Sequence, residues 1–481
     1  MKILIVSSEV APFSKTGGLA DVAGALPLAL KKMTHCEVCV ISPFYKMVKK
    51  SGFKIKKLTD LKDISEFGCK DSFELLESEN DGVKFYFIAK DKYYDRDGLY
   101  GTPQGDYPDN AERFSFLCRA ALTTLLNIKF YPDIIHANDW QTGLIPLYKH
   151  ANFKENRSIK KSKVLFTIHN MAYEGRFEKE AIENIGLPEE LIEPLRCQGK
   201  FSFIKSGIVY ADAINTVSKK YAEEILTPQY GYGLDNILIK RKKDLYGILN
   251  GADYSEWNPA TDPLIPKNYG IDALDGKSAC KSALLKRMKI DISPEAPLFG
   301  SVGRLVEQKG IDLMLGAIDE IVKFGGGLAL LGSGEERYEN TLKETAREKT
   351  GKVGASITFD NKLAHMIEAG ADMFIMPSRY EPCGLNQIYS LKYGAIPIVR
   401  ATGGLDDTII DYSEDRENGN GFKFKKAEQK DFIEAIKRAT KVFYNKKELL
   451  KLQKRGMVSD FSWKHAAGEY MALYRKITLE G

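Results

Sequence analysis

Short apolar runs rich in β-branched residues recur along the chain with amphipathic stretches between them, and few folds accommodate that rhythm. They fall at residues 3–7, 36–42, 83–88, 133–138, 164–169 and 213–217, then again at 298–303, 328–332, 356–359, 373–377 and 396–400. Strands separated by helical patterns are the spacing of βαβ units around a parallel sheet. The series occurs twice, so the expected fold class is α/β, with two Rossmann-like doubly wound domains. A length of 481 residues agrees, since it exceeds what one hydrophobic core usually serves. A cleft between two domains is a natural place for a ligand.

The boundary is expected near residue 250. There Asn250-Gly251-Ala252-Asp253-Tyr254-Ser255-Glu256-Trp257-Asn258-Pro259 is dense in turn formers, and Pro263, Pro266 and Pro294 follow. This gives an N-terminal domain of residues 1–249 and a C-terminal domain of residues 250–459. The segment 463–477 has helical spacing of aromatic and apolar residues, open to packing on either domain.

Composition removes several classes. With 43% hydrophobic and 28% charged residues the chain is of globular type. Lys and Arg total 70 against 65 Asp and Glu, a net charge of +5 too weak to point to nucleic acid. The seven cysteines, Cys36, Cys39, Cys69, Cys118, Cys197, Cys280 and Cys383, are odd in number and scattered. They favour buried reduced thiols over a disulfide framework or a zinc site. No apolar run approaches the roughly 20 residues that span a bilayer. The chain starts directly on a strand-like segment with no leader or transit pattern, so a cytoplasmic protein with no membrane partner is expected.

In open α/β sheets ligands sit beyond the carboxyl ends of the strands, so the residues leaving each strand carry most information. After the first strand come Ser14-Lys15-Thr16-Gly17-Gly18-Leu19-Ala20-Asp21-Val22. Two glycines allow close backbone approach, amides point outward at a helix start, and Lys15 adds a charge suited to phosphate. The same residues equally mark a tight turn; they fit neither a Walker A loop nor G-x-G-x-x-G. The strands ending in His136-Ala137-Asn138-Asp139-Trp140 and Thr167-Ile168-His169-Asn170 place polar groups at the same edge. His169 and Asp139 are therefore candidates, beside the alternative of a satisfied core histidine.

In the second series, Ser301-Val302-Gly303-Arg304-Leu305-Val306-Glu307-Gln308-Lys309-Gly310 leaves a strand. Arg304 can fork onto phosphate oxygens with Lys309 as a second cation, which suits a diphosphate leaving group; surface ion pairs are the alternative. Pro377-Ser378-Arg379-Tyr380-Glu381-Pro382-Cys383-Gly384-Leu385-Asn386-Gln387 follows another strand and puts Glu381 just before a helix expected near Gly384. There it can meet a sugar or simply the helix dipole. Cys383 has no adjacent histidine and reads as packing or ligand-lining. Thr402-Gly403-Gly404-Leu405 repeats the strand, Gly-Gly, helix arrangement.

Taken together, Lys15 to Val22, Gly303-Arg304-Leu305 with Gln308-Lys309-Gly310, Glu381-Pro382-Cys383-Gly384-Leu385 and Thr402-Gly403-Gly404-Leu405 resemble the bacterial glycogen synthases and plant starch synthases, in order and from the first strand to the tail. The resemblance implies the GT-B architecture, two Rossmann-like domains facing across a deep cleft, with a C-terminal helix (residues 460–481) packing back on the first. It implies transfer of glucose from ADP-glucose to the non-reducing end of an α-1,4-glucan (glycogen) with retention, and neither cofactor nor metal.

Position by position, the resemblance implies that Arg304 and Lys309 bind the diphosphate and that Lys15, Gly17 and Gly18 close over it. Glu381 would hydrogen-bond the donor glucose near Cys383, Gly384, Leu385 and Asn386, with His169 and Asn170 lining that sugar. Asp21, Tyr94, Asp139 and Asn250 would contact glucose or acceptor, and Phe359 would stack on adenine. Two positions depart from the pattern: Asn386 stands where Thr is expected, and Tyr389 where many retaining enzymes of this fold carry a second Glu. Other retaining GT-B glucosyltransferases, a phosphorylase, or an inactive glucan-binding paralogue share parts of this pattern.

Overall fold

The computed structural model describes every residue except 34, 65–68, 155, 157, 184, 480 and 481. The chain divides into two units, Met1–Gly251 with Trp463–Gly481, and Ala252–Ser462. The first holds a nine-stranded sheet running Leu245–Gly247, Ala213–Thr216, Lys163–Ile168, Ile134–Asn138, Lys2–Val6, Glu37–Pro43, Val83–Ala89, Cys69–Asn80, Lys56–Ile64. Pairing is parallel through Val83–Ala89 and antiparallel in the last two steps. Central strands are covered on both faces: Ile3, Leu4, Ile5 and Val6 are all buried, so the strand reads as an unbroken apolar run.

The second unit holds a six-stranded sheet, parallel throughout, in the order Val353–Ser356, Gly327–Leu331, Leu298–Val302, Met373–Met376, Ile396–Arg400, Phe422–Phe424. In each sheet the winding reverses at the unit's first parallel strand. Lys2–Val6 lies between Glu37–Pro43 and Ile134–Asn138, and Leu298–Val302 between Gly327–Leu331 and Met373–Met376. At such a point the two flanking loops turn away from each other and leave a crevice beyond the strand ends.

The tail is the helix Trp463–Leu479, and it belongs to the first unit. Trp463, Ala466, Ala467, Tyr470, Tyr474 and Ile477 join that unit's core. The Tyr474 hydroxyl lies 2.8 Å from His136 Nδ1, and Asn215 Nδ2 donates to the Tyr470 hydroxyl at 3.1 Å. Glu480 and Gly481, the end of the expected return helix, lie outside the described residues. The division falls at Gly251 rather than 249 because Gly251 packs flat on Trp463: a Cβ there would stand 2.6 Å from the Trp463 Cα. The next residue, Ala252, instead donates its amide to the Phe461 carbonyl at 2.7 Å.

Three features differ from the sequence reading. The strand expected at residues 356–359 is Val353–Ser356, registered against Leu328 to Leu331, so Phe359 falls in the loop beyond it. The hairpin Lys56–Ile64 with Cys69–Asn80 lies outside the expected strands, because residues such as Lys56, Lys57, Asp60 and Lys62 give it the charge of an exposed loop. The edge strands Leu245–Gly247 and Phe422–Phe424 are only 3 residues each, too short for a pattern. Six cysteines are buried and unbridged; the side chain of Cys69 lies outside the described residues.

Candidate active site

In the first unit the loop leaving Lys2–Val6 is organised by Glu9, a residue with no motif of its own. Its carboxylate accepts from the Thr16 amide at 2.5 Å, the Gly17 amide at 3.3 Å and the Thr16 hydroxyl. The Tyr100 hydroxyl donates to it at 3.0 Å. Burial pushes the Glu9 carboxyl above its ordinary range, and these hydrogen bonds oppose the shift. The amides expected to point outward from Thr16 and Gly17 are therefore already bound, because an internal carboxylate caps the turn. Gly17 and Gly18 still face open space, with nothing within 4 Å of an added Cβ, and the helix Gly18–Met33 starts there. Lys15 forms a mostly exposed ion pair with Asp21, Nζ to Oδ1 2.6 Å.

The neighbouring strand ends supply Asp139 and His169. Asp139 sits at φ 60°, ψ 178°, a conformation an L residue adopts only when its surroundings impose it. Its carboxylate accepts from the Trp140 amide at 3.1 Å, and burial pushes its pKa up to about 8. His169 is held by Asn138, Nε2 to Oδ1 3.0 Å. Asn138 Nδ2 donates to the carbonyls of Val6 and His136, which fixes its Oδ1 as the acceptor. His169 therefore carries its proton on Nε2 and offers Nδ1 as an acceptor. Burial lowers its pKa to about 3, so the ring is neutral at neutral pH.

Asn170 Oδ1 accepts from the Ala172 amide within its own turn. Asn250 is buried and its Oδ1 has no hydrogen-bond partner among the described residues, a polar atom that a ligand could satisfy. Tyr94 is wholly buried, its hydroxyl donates to the Arg113 carbonyl at 2.9 Å, and its ring packs on Tyr45.

In the second unit the loops on either side of the switch point meet. Lys309 donates from Nζ to Glu381 Oε2 at 2.6 Å, and the Ser378 hydroxyl donates to the same oxygen at 3.0 Å. Glu381 is buried while Lys309 keeps part of its surface exposed. Gly310, at φ 66°, closes this contact: an added Cβ would stand 2.1 Å from the Pro377 carbonyl oxygen. Arg304 is exposed, with its guanidinium 3.5 Å from Oε1 of Gln308, the residue before Lys309. Phe359 is 90% exposed, a bare ring.

The helix after the Glu381 loop is Asn386–Lys392, two residues later than expected. Asn386, read as a ligand-lining group, spends its Nδ2 on the Val302 carbonyl at 2.6 Å and ties helix to strand end. Cys383 is buried, and Leu385 immediately precedes the helix. Gly384 takes φ 71°, where glycine is favoured.

The Thr402-Gly403-Gly404 turn serves this same loop. The Gly404 amide donates to the carbonyls of Glu381 and Pro382, and a Cβ on Gly403 or Gly404 would lie 2.0 Å from the oxygen of Glu381 or Cys383. Arg400 adds a bond from Nε to the Ser378 carbonyl, and Gln387 Nε2 donates to the carbonyls of Cys383 and Gly384. Gly404→Ala is accordingly expected to destabilise the fold by about 1–3 kcal/mol, because backbone must move. A thermal unfolding scan of the variant checks it, and an unchanged midpoint would show that the packing tolerates the methyl. Among the described residues no group of His, Cys, Asp and Glu is arranged to hold a metal, and no helix is long and apolar enough to cross a membrane.

Two sheets, parallel around their switch points and each with charged loops gathered there, suit the GT-B class of glycosyltransferases, and the comparisons establish that class. Residues 2–240 match the starch synthase catalytic domain, and residues 285–455 the glycosyl transferases of group 1. The chain is 47% identical to the glycogen synthase of Geotalea daltonii and 41% identical to that of Thermotoga maritima, each over 99% of both chains. It superposes on the catalytic domain of starch synthase IV from Arabidopsis thaliana, bound to ADP and acarbose, with a TM-score of 0.89, 31% identity and 99% coverage of both. The sucrose-phosphate synthase of Thermosynechococcus elongatus, at 17% identity and TM-score 0.61 over 100% of both chains, shares the fold. The chain belongs to the glycogen and starch synthase family.

Proposed function

We propose that the protein transfers glucose from ADP-glucose to the non-reducing end of an α-1,4-glucan, retaining the α configuration and releasing ADP. The observation that carries this reading is the Lys309–Glu381–Ser378 cluster with Arg304 at the switch point of the second unit, in a chain of this family. A diphosphate departing from the sugar needs fixed positive charge, which Lys309 and Arg304 supply without a metal. Glu381 then accepts hydroxyl hydrogen bonds from the donor glucose, and the exposed Phe359 ring stacks on the base. The first unit takes the glucan. Its Asp139 and the buried Asn250 oxygen meet hydroxyls of glucose or acceptor, and its neutral His169 meets those of the donor glucose.

Retention without a covalent intermediate follows a front-face path. The bond from C1 to the diphosphate oxygen breaks and the bond from C1 to the acceptor oxygen forms on the same face. The departing phosphate takes the acceptor's proton. Water competes as an acceptor, so the site must exclude it.

The test is donor competition with glycogen as acceptor. Labelled ADP-glucose is expected to label the glucan at least about tenfold faster than UDP-glucose at equal concentration, a preference worth about 1.4 kcal/mol. Equal rates would remove the adenine preference, and transfer from neither donor would remove the function.

A further inference from the structure

The second unit contains a stack of three rings outside the site just described. The Trp257 indole lies between the imidazole of His365, 3.8 Å away at 12°, and the phenol of Tyr389, 4.1 Å away at 4°. His365 belongs to the helix Asn361–Gly370, which starts two residues after Phe359. Tyr389 belongs to Asn386–Lys392, which starts five residues after Glu381. Trp257 itself is on neither helix; it comes from the segment that opens the unit.

The two helices are tied together at three levels. At their C-terminal ends the carbonyls of Ala369 and Tyr393 both accept from Lys277 Nζ, at 3.1 Å each, and both accept from the Tyr269 hydroxyl. One residue back on the first helix and three on the second, the Ser390 hydroxyl donates to Glu368 at 2.7 Å. The ring stack is the level nearest the N-terminal ends, where Phe359 and the Glu381 loop emerge. It is anchored on the His365 side by Asp262, which lies 2.8 Å from Nδ1 and also accepts from the Tyr393 hydroxyl at 2.5 Å.

We propose that Trp257 is a positioning residue for the nucleotide-sugar site, setting the register between the two helices whose leading ends carry Phe359 and Glu381. This rests on the donor reading given above. Parallel aromatic stacking fixes both separation and tilt, which a single hydrogen bond does not. Removing the indole opens the leading ends, while the lysine clamp at the far ends keeps the helices docked. A displacement of about 1 Å at a binding group is enough to change turnover or affinity by an order of magnitude or more. The first unit is untouched, so the glucan's own binding is unaffected.

The experiment compares Trp257→Ala, Trp257→Phe and Lys277→Met in the full chain. Trp257→Ala is expected to raise the KM for ADP-glucose, and the Kd of ADP measured by calorimetry, about tenfold, with the KM for glycogen within twofold of the parent. Trp257→Phe, which retains a stacking ring, is expected to recover most of the loss. Lys277→Met removes the far-end clamp and is expected to lower the melting temperature while leaving both donor constants within twofold.

Unchanged donor constants in folded Trp257→Ala would overturn the proposal. So would an equal rise in Lys277→Met, because the effect would then be general loosening. If Trp257→Ala does not fold, Trp257→Phe and Trp257→Leu carry the same comparison, and equal donor constants in those two would also overturn it. Should the parent bind ADP yet transfer no glucose, the functional reading fails while the ADP constants still decide the role of Trp257.

Discussion

Lys309→Ala is expected to lower kcat/KM for ADP-glucose by about 10³, the size of effect seen when one fixed donor to a developing negative charge is removed. Arg304 remains, so some turnover survives. The structure adds a second consequence. Lys309 is the ammonium partner of Glu381, whose carboxylate is 7% exposed. Without it, that carboxylate keeps, among the described residues, the Ser378 hydroxyl. Stranding a buried charge is costly, and since Lys309 is partly solvated we expect a loss of about 1–2 kcal/mol, or several degrees of melting temperature. Pairing the change with Glu381→Gln removes the stranded charge, so the double variant should recover the melting temperature and not the activity. Calorimetry and a glucan-labelling assay read the two effects apart. A single variant turning over within threefold of the parent would take Lys309 out of the leaving-group role.

The sheets were largely legible because parallel strands, buried on both faces, must be apolar throughout, and runs such as Ile3-Leu4-Ile5-Val6 announce themselves. What escaped was structure whose signal is not periodic. The strand Lys56–Ile64 looks like solvated loop because most of its residues are charged. Glu9 is one acid among many in a sequence, and its importance appears only when Thr16 and Gly17 are folded back onto it. Glycine pairs posed a harder problem, since an amide facing a ligand and an amide facing another loop use the same residues. Gly17-Gly18 opens onto free space, whereas Gly403-Gly404 packs on the carbonyls of Glu381 and Cys383. Spacing cannot separate those cases; contacts do. Motif position likewise says nothing of the complete burial of Tyr94.

Glu381→Gln is expected to move two quantities in opposite directions. Turnover should fall by about 10³, because a carboxylate that accepts strongly from sugar hydroxyls is replaced by a neutral amide. ADP should nevertheless bind more tightly than to the parent. In the ligand-free protein the Lys309 ammonium is neutralised by Glu381 at 2.6 Å, so a diphosphate entering the site must compete for it. Unit charges 4 Å apart interact by about 4 kcal/mol at the effective dielectric near a protein surface. Solvent around the exposed part of Lys309 reduces that, and a gain of about 1 kcal/mol, roughly fivefold in Kd, is the expected remainder. The gain should shrink as salt is raised, since it is electrostatic. A variant whose fold had simply loosened would lose turnover and ADP affinity together, with no such salt dependence. Parallel losses would therefore show Glu381 to be a structural anchor for its loop, whereas tighter ADP with failed transfer assigns it to the sugar.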